Sequence, residues 1–419
     1  MIERPRYYEW LHSHKNKKSI KIITGMRRVG KTTLLEGFRD EVLLQNLAES
    51  SVIWVNRDTL RQQEIKNDGE LCSYIIDVAG SGGVNYVFLD GIDDLEHFER
   101  VLSHLFSRDN IDLYVAARNT LFMGEEFRAR IKSRCAILHV FPLSFKEYHD
   151  DLAKRSPDGK IPHDKEAVFR RYICCGGLPG VARLVGRRAV LEYLEGTFNT
   201  IILEDIAARK RRMGINDFME VAHYMVSLAG EKTSVRGIAD SLAVKDKKAS
   251  PNTVREYLDA LQRCDLLHKT ERVDLTTGKH ISTFERYYLG DLGMMFWATD
   301  RSTINDDFAS MRSAIKNVIY LELRRRYARV DFGEMEPIKN VKVSKSDEKC
   351  SLFITSAFDG EQYFRYVENS SDDIVLQAEI GRMVKMKNLM PRTLLSLQTD
   401  GRANVMGIEH INLIDWLLE

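Results

Sequence analysis

One stretch near the N-terminus constrains the fold of this chain more than any other. Residues 20–24 form an apolar run rich in β-branched side chains, and residues 25–33 follow with the sequence GMRRVGKTT. The spacing is that of a P-loop, G-x-x-x-x-G-K-[ST], which is supported by a strand before it and a helix after it. The residues after 32 have helical apolar spacing. The stretch therefore predicts a strand–loop–helix unit that binds phosphate.

Each residue type in this loop has a physical reason. Gly25 and Gly30 let the backbone turn, so that its N–H groups and the start of the helix converge on an anion. Lys31 supplies a mobile cation for the β- and γ-phosphates, and the Thr32 hydroxyl is a ligand for Mg²⁺. The remaining nucleotide contacts that we predict from the motif are Arg28, Val29 and Thr33.

Composition excludes several other classes of protein. The 419 residues allow two to four domains, and 62 Lys and Arg against 61 Asp and Glu leave a net charge of +1. A basic surface must therefore be a local patch. No apolar run approaches the ~18–20 residues of a membrane span, and residues 1–18 lack a signal peptide's apolar core. Six cysteines without a C-x-x-C pair predict neither disulfides nor zinc. We expect a cytoplasmic protein without a membrane partner.

A second motif supplies the acid that a P-loop requires. Residues 85–90, NYVFLD, predict a buried parallel strand that ends in Asp90, a Walker B acid near the metal. In most hydrolytic relatives a glutamate follows this acid and orients water, whereas here the residue is Gly91. Asp93 and Asp94 lie nearby, and a solvated helix start explains them better. The motifs therefore predict ATP binding, but they leave ATP hydrolysis without its usual water-orienting residue.

Two further strands complete the predicted domain. Residues 111–117 predict a buried strand, and Asn119 after it is our candidate sensor of the γ-phosphate, the alternative being a turn or helix cap. Residues 125–132 predict a helix with Arg128, Arg130 and Arg134 near its end. One of these, with Arg134 as our candidate, would be an arginine finger for a neighbouring subunit, and the alternative for each is an exposed, solvated arginine. Residues 136–140 predict the fifth strand. Alternating strands and helices with a P-loop imply a three-layer α/β domain with a parallel sheet.

The middle of the chain has the pattern of a winged helix. Three helices, 217–229, 235–243 and 251–264, precede alternating strands at 266–275 and 280–288. The third helix would be the recognition helix. Its predicted phosphate-facing side chains, with the lysines before it and at the hairpin tip, are Asn252, Thr253, Arg255, Lys245, Lys247, Lys248 and Lys279. Because Glu256 and Asp259 share this helix, packing against protein is an equal alternative to DNA binding.

Several motifs together resemble those of a known family. They are GMRRVGKTT at 25–33, VFLDGID at 87–93, RNT at 118–120, KSR with FPLSFKEY at 132–148, GGLPGV at 176–181, IILEDIAAR at 201–209, RYYLGDLG at 286–293 and YLELRRRY at 320–327. In order and spacing the chain resembles prokaryotic AAA-like ATPases related to the STAND and archaeal ATPase groups, which end in a restriction-endonuclease-like domain. The resemblance spans nearly the whole chain, and Gly91 departs from it.

The resemblance implies a domain plan and a nucleotide. It implies ATP with Mg²⁺ as the cofactor, and a 177–179 turn whose Pro179 lies against the base or ribose. The expected domains are the P-loop ATPase core at 1–149, a helical lid at 150–215, the winged helix at 216–300 and a small α/β restriction-endonuclease-like domain at 301–419.

The last of these domains lacks the residues for cleavage. Nuclease chemistry needs an acidic pair and a lysine that hold Mg²⁺ and activate water. Ser351 stands where an acid is expected, Arg365 lies on the next strand without a Glu-x-Lys, and Lys316 replaces a helix-borne acid, although Glu322 remains. We expect no nuclease activity, and a partner or nucleic acid bound instead.

The leading hypothesis is an ATP-dependent switch that moves the winged helix and the C-terminal domain, with slow hydrolysis as its enzymatic version. The alternative is a nucleic-acid-binding or scaffold protein that holds nucleotide as a structural ligand. The sequence leaves the protein or DNA partner and the oligomeric state open.

Overall fold

The structure, a computed structural model, describes most of the chain. The described residues are 2–44, 52–56, 65, 67–92, 95–117, 134–156, 164–206, 214–243, 250–275, 277–298, 311–335, 350–357, 360–368, 370–386, 390–399 and 401–419. They divide into two compact units, Met1–Pro142 with Arg263–Asp265, and Leu143–Gln262 with Leu266–Glu419. None of the helices in these ranges is long and apolar enough to cross a membrane.

The first unit alternates helices with strands. Its elements in chain order are α1 (Pro5–His14), β1 (Ile20–Thr24), α2 (Lys31–Leu43), β2 (Val52–Asn56), α3 (Asp68–Val78), β3 (Asn85–Asp90), α4 (Phe98–Phe106), β4 (Ile111–Ala116) and β5 (Cys135–His139). The strands form a parallel sheet in the order β2–β3–β4–β1–β5. The predicted α/β class and parallel sheet are confirmed.

Both faces of this sheet are covered. Ile20, Ile22, Val87 and Leu89 share one core cluster with residues of α3 and α4. The opposite face carries aromatic packing, in which Phe88 stacks on Tyr114 at 4.9 Å and both contact Phe38 of α2. Because successive strand residues point to opposite faces, strands covered on both sides must be apolar throughout. This explains the largely apolar sequences of β1 and β3, in which the buried Lys21 is paired with Asp112.

The second unit begins with helices. They are α5 (Phe145–Arg155), α6 (Lys165–Cys175), α7 (Arg187–Thr200), α8 (Ile215–Ser227), α9 (Val235–Ala243), α10 (Pro251–Arg263), α11 (Leu292–Ala298), α12 (Arg312–Arg326), α13 (Asp373–Val384) and α14 (Leu413–Leu418). A π-helix, Ile201–Ile206, continues α7. Ser144 begins α5 with a capping box, in which its hydroxyl accepts from the Glu147 N–H and the Glu147 carboxylate accepts from the Ser144 N–H.

The described strands of this unit form one mixed sheet. They are β6 (Lys232–Thr233), β7 (Leu267–Asp274), β8 (His280–Leu289), β9 (Arg329–Met335), β10 (Cys350–Ala357), β11 (Gly360–Tyr366), β12 (Arg392–Ser396), β13 (Arg402–Val405) and β14 (Ile408–Asn412). Their order is β13–β14–β12–β11–β10–β9–β7–β8–β6. The hairpin β7–β8 is therefore continuous with the C-terminal strands, because β7 pairs in parallel with β9 at Arg272–Phe332.

Two details differ from the sequence expectations. The sequence pattern predicts a helix at 317–327, which in the structure begins earlier, at Arg312. Beyond it the pattern predicts a single helix, at 377–387, whereas the structure also has α14 at the C-terminus. Asn412 caps α14 by accepting from the N–H groups of Ile414 and Asp415. The six-residue helix is too short for a periodic pattern to reveal it, which is why it was missed. The predicted helix at 125–132 lies outside the described residues.

Candidate nucleotide-binding site

The loop between β1 and α2 has the backbone that phosphate binding requires. Gly25 has φ +142° and Gly30 has φ +95°, which are backbone conformations that residues other than glycine rarely adopt. A Cβ on Gly25 would also overlap the carbonyl oxygen of Val140. Arg28 takes φ +67°, so the tip of the loop turns through the left-handed region at a non-glycine residue. The two motif glycines are therefore required by the shape of the loop itself.

Lys31 begins α2 and lies over this loop. Its Nζ donates to the carbonyl oxygens of Gly25 at 2.8 Å and of Met26 at 2.9 Å. The ammonium is thus held at the mouth of the loop, where the first N–H groups of α2 converge. A cation at this point and the positive end of a helix both favour a bound anion.

Thr32 and Asp90 meet at the ends of neighbouring structural elements. The Thr32 Oγ1 donates to Asp90 Oδ2 at 2.6 Å, and Asp90 is only 7% exposed. Asn56 Nδ2 approaches the same carboxylate oxygen at 3.4 Å, because β2 and β3 pair in register at Asn56–Asp90. A hydroxyl and a carboxylate are the hard oxygen ligands that Mg²⁺ prefers, so these residues fit the predicted metal.

Asn56 was not predicted as a site residue. Its signal is weak, since a single asparagine at the end of a strand is common. Only the pairing of β2 with β3 places it beside Asp90.

Gly91 has a conformation that explains part of its identity. Its φ is +68°, in the left-handed region, so the backbone turns sharply immediately after Asp90. A glutamate at this position would carry backbone strain in addition to its charge. Asp93 and Asp94 lie outside the described residues.

The two other predicted catalytic residues, Asn119 and Arg134, stay predictions. Asn119 lies outside the described residues, although β4, which precedes it, is placed between β1 and β3. Arg134 is exposed, and its carbonyl accepts from the N–H of Ile20 at the start of β1. The P-loop follows the other end of β1, roughly 13 Å away along four strand residues. Arg134 therefore lies at the opposite end of β1 from the P-loop, and its predicted role as an arginine finger for a neighbouring subunit stays a prediction.

An arginine that the sequence analysis did not identify, Arg4, holds the P-loop through hydrogen bonds to backbone carbonyls. Arg4 is 7% exposed, and its guanidinium donates to the carbonyls of Val29 at 3.1 Å and Phe141 at 2.8 Å. It also lies over the ring of Tyr7, 4.4 Å from the centroid, and the Tyr7 hydroxyl accepts from the Phe141 N–H. The guanidinium fork thus ties the P-loop to the segment after β5. No local pattern marks Arg4, because its partners lie 25 and 137 residues away.

In the second unit, a buried aspartate connects the GGLPGV motif at 176–181 with the RYYLGDLG motif at 286–293. Asp291 accepts from the N–H groups of Gly177 and Gly293, both at 2.8 Å. Gly176 has φ +81°, and a Cβ there would overlap the Asp291 carboxylate. Burial raises the pKa of Asp291 to about 6, although the hydrogen bonds from Gly177 and Gly293 oppose the shift. These contacts between the motifs at 176–181 and 286–293 therefore hold the turn that contains Pro179, which is half-buried.

The residues expected in a nuclease site have other partners. Glu322 binds Arg325 at 3.1 Å and Arg326 at 2.8 Å. Arg365 binds Glu379 at 3.1 Å. The side chain of Ser351 lies outside the described part of the structure. The described residues at these positions supply more cations than free carboxylates, an arrangement that disfavours a divalent metal.

Two family models match parts of this chain. Residues 17–149 match a family described as an AAA domain. Residues 166–305 match a domain of unknown function, DUF8612, whose range runs across the boundary at 215 predicted from sequence. The four predicted domains, with their boundaries, stay predictions.

Relatives and a solved structure extend the likeness over the chain. An uncharacterized protein of Haemophilus influenzae is 25% identical over 420 residues, covering 100% of this chain and 99% of the relative. An uncharacterized protein of Methanocaldococcus jannaschii is 23% identical over 322 residues, covering 73% of this chain and 67% of that protein. A Walker-type ATPase of Pyrococcus abyssi superposes with a TM-score of 0.50 at 15% identity, covering 71% of this chain and 96% of its own. This chain has an AAA-type, P-loop ATPase-like fold.

Proposed function

We propose that this chain binds ATP with Mg²⁺ at the P-loop and acts as a nucleotide-dependent switch. The observation that carries the proposal is the 2.6 Å contact between Thr32 and Asp90, directly beside the ammonium of Lys31. The residues that would hold Mg²⁺, Thr32 and Asp90, and the cation that would bind phosphate, Lys31, thus lie together at the start of α2. The AAA-type fold supports the same conclusion.

Each residue of the site has a distinct part. The N–H groups of the loop and the Lys31 ammonium bind phosphate oxygens, while Thr32 and Asp90 would hold Mg²⁺. When bound, Mg²⁺ supplies charge neutralisation at the β- and γ-phosphates. Arg4 keeps the loop in place through the Val29 carbonyl, which limits the entropy that the loop loses when it binds nucleotide.

Hydrolysis in this proposal is slow. Gly91 has no side chain to orient water, and its left-handed backbone directs the chain away from an extended path after Asp90. A positioned base or water-orienting residue contributes typically 10²–10⁴-fold to rate, so its loss leaves binding intact and slows turnover. ATP then persists long enough to serve as a signal.

The second unit is the element that the switch moves in this proposal. Segment 150–215 serves as the lid, with Pro179 against the base or ribose, and 216–300 serves as a winged helix. The order of α8, β6, α9, α10, β7 and β8 supports a winged helix. On α10, Asn252 and Arg255 are exposed, as the recognition-helix hypothesis requires. The lysines at 245, 247 and 248 lie outside the described residues.

The second candidate function is a nucleic-acid-binding or scaffold protein with nucleotide as a structural ligand. Gly91 favours this alternative, because a site that does not turn ATP over can hold it permanently. The exposed Glu256 and Asp259 on α10 weigh against its DNA-binding form. In both candidates the 301–419 domain is restriction-endonuclease-like and inactive as a nuclease, so full-length protein with Mg²⁺ leaves DNA uncut.

Amide hydrogen exchange with and without ATP–Mg²⁺ tests the switch. We expect ATP to slow exchange at 25–35 in the first unit and to change exchange in 143–262 or 266–419 as well. The same experiment on Lys31→Ala should show neither change. Protection confined to the P-loop would contradict the switch and favour the structural-ligand alternative. ATP-independent DNA affinity that falls steeply with salt would favour the nucleic-acid-binding form.

A further inference from the structure

A cavity in the second unit is lined by cations and aromatic rings. It lies between α12 and strands β8–β11 and is partly open to solvent. Arg286, Lys316 and Arg365 line it from three different elements. Its aromatic wall is formed by Tyr288, Phe332, Phe353 and Tyr366. The P-loop has no part in this cavity.

The acid nearest to Arg286 is shared among three cations. Glu334 binds Lys232 at 2.9 Å and Arg272 at 2.6 Å, and Arg286 lies 3.7 Å from it. Burial raises the pKa of Glu334, but Lys232 and the two arginines outweigh burial and hold that pKa below its usual value. One negative charge therefore serves three positive charges. The Nε of Arg286 is buried and has no hydrogen-bond partner among the described residues.

The acid behind Arg365 is shared as well. Glu379 binds Arg365 at 3.1 Å and Arg382 at 2.6 Å, and all three residues are less than 5% exposed. One carboxylate thus serves two buried guanidinium groups. Among the side chains named here, as among those named around Glu334, positive charges outnumber negative ones.

Lys316 adds a further cation between these two groups. Within the described ranges, its Nζ makes no hydrogen bond and no ion pair. Burial in the first place, and then the charges of Arg312, Arg286 and Arg365, lower the pKa of Lys316 to about 8, while Glu231 opposes the shift. Arg312 is itself paired with Glu368 at 3.6 Å. The ammonium is therefore placed among like charges without a carboxylate of its own.

Buried positive charge in excess is unfavourable unless an anion compensates it. Guanidinium forks bind phosphate oxygens in bidentate fashion, and an ammonium adds a third direction of donation. The same charges repel a divalent cation. We propose that this cavity binds a phosphate group, as a phosphate monoester or as a phosphodiester, through Lys316, Arg286 and Arg365.

This site is independent of the nucleotide site, and the test separates the two. Because the P-loop also binds phosphate, binding of inorganic phosphate is measured by calorimetry in the Lys31→Ala background. We expect one site that Lys316→Met weakens at least tenfold. The matched control is Lys385→Met, since Lys385 is exposed and does not line the cavity. Absence of phosphate binding, or an equal loss in both variants, would overturn the proposal.

A second measurement guards against a variant that fails to fold. Acylation of lysines at pH 8, followed by mass spectrometry, should show that phosphate protects Lys316 and leaves Lys385 unprotected in the otherwise unaltered chain. Equal acylation of Lys316 with and without phosphate would contradict the site. A short DNA duplex then identifies the source of the phosphate. Protection of Lys316 by duplex points to a phosphodiester backbone, and protection by inorganic phosphate alone points to a free phosphate or monoester.

Discussion

Thr32 and Asp90 are joined by a hydrogen bond of 2.6 Å although 58 residues separate them in the chain. In the described sheet β4 lies between β1 and β3 and pairs with both in parallel, so the carboxyl ends of β1 and β3 lie at the same edge. Ligands of open parallel α/β sheets bind at the carboxyl ends of the strands. The pair therefore marks the edge where ATP and Mg²⁺ are expected.

Asp90→Asn should separate metal binding from nucleotide binding. The amide keeps the shape of the side chain and can still accept from Thr32, but it removes the negative charge. We expect the Mg²⁺-dependent part of ATP affinity to fall at least ~10-fold, since even outer partners of a metal site have effects of that size. Affinity measured in chelator should change little. The control is Asp109→Asn, whose side chain is 98% exposed, and an Asp90→Asn protein with normal Mg²⁺ dependence would contradict the assignment.

Gly91→Ala should destabilise the first unit through its backbone alone. A residue with a Cβ at φ +68° costs roughly 1–2 kcal/mol, so we expect a lower melting temperature. Gly82→Ala is the matched control, because Gly82 has no positive φ and a Cβ there meets nothing within 4 Å. Thermal unfolding of both variants decides the matter. Equal stability would show that Gly91 is not required by the turn, and that a glutamate there is excluded by function rather than by strain.

Arg4→Met should loosen the P-loop from a distance. It leaves the buried carbonyls of Val29 and Phe141 without the guanidinium, which costs about 2 kcal/mol or more in unfolding free energy. We expect weaker ATP binding as well, because the loop must then be ordered by the ligand. Chemical denaturation and ATP titration check the two effects. Arg6→Met serves as the control, since Arg6 is exposed, and matching behaviour of the two variants would refute the anchoring role.

Asp291 should make stability fall as pH rises from about 4 to 6. Its folded-state pKa of about 6 exceeds the ordinary value of 3.8, so between these values the folded protein holds the proton and the unfolded chain releases it. The difference corresponds to roughly 3 kcal/mol lost across that window. Denaturation midpoints of the unaltered chain and of Asp291→Asn should diverge in this range. Asp240→Asn, at an exposed position, should retain the slope.

Features that depend on residues close together in the chain could be predicted from the sequence, whereas features that depend on contacts between distant residues could not. The P-loop and Asp90 were predictable, because phosphate binding requires particular residues at fixed spacing within one strand–turn–helix unit. Arg4 and Asn56 were not, because strand pairing and a contact across 137 residues bring them to the site. The pairing of β7 with β9 was hidden for a similar reason, since an alternating strand pattern does not specify its neighbour.

The cavity lined by Arg286, Lys316 and Arg365 could be predicted from the sequence only in part. Lys316 and Arg365 were recognised from the sequence as departures from an acidic site, and the lack of two carboxylates predicted that a metal would be held poorly. No sequence pattern connects them with Arg286, because Arg286 comes from the β7–β8 hairpin, which was predicted to belong to a different domain. The hairpin's continuity with the C-terminal strands brings these three cations together.

The most direct test of the central claim is the affinity for ATP–Mg²⁺, measured by calorimetry on the unaltered chain and on Lys31→Ala. Lys18→Ala is the matched control, since Lys18 precedes β1 and pairs with Asp109 away from the loop. We predict that Lys31→Ala weakens binding by about 10–100-fold, the range of a lost charge-assisted contact, and that Lys18→Ala does not. Equal ATP affinity in Lys31→Ala and the unaltered chain would contradict the proposed nucleotide site.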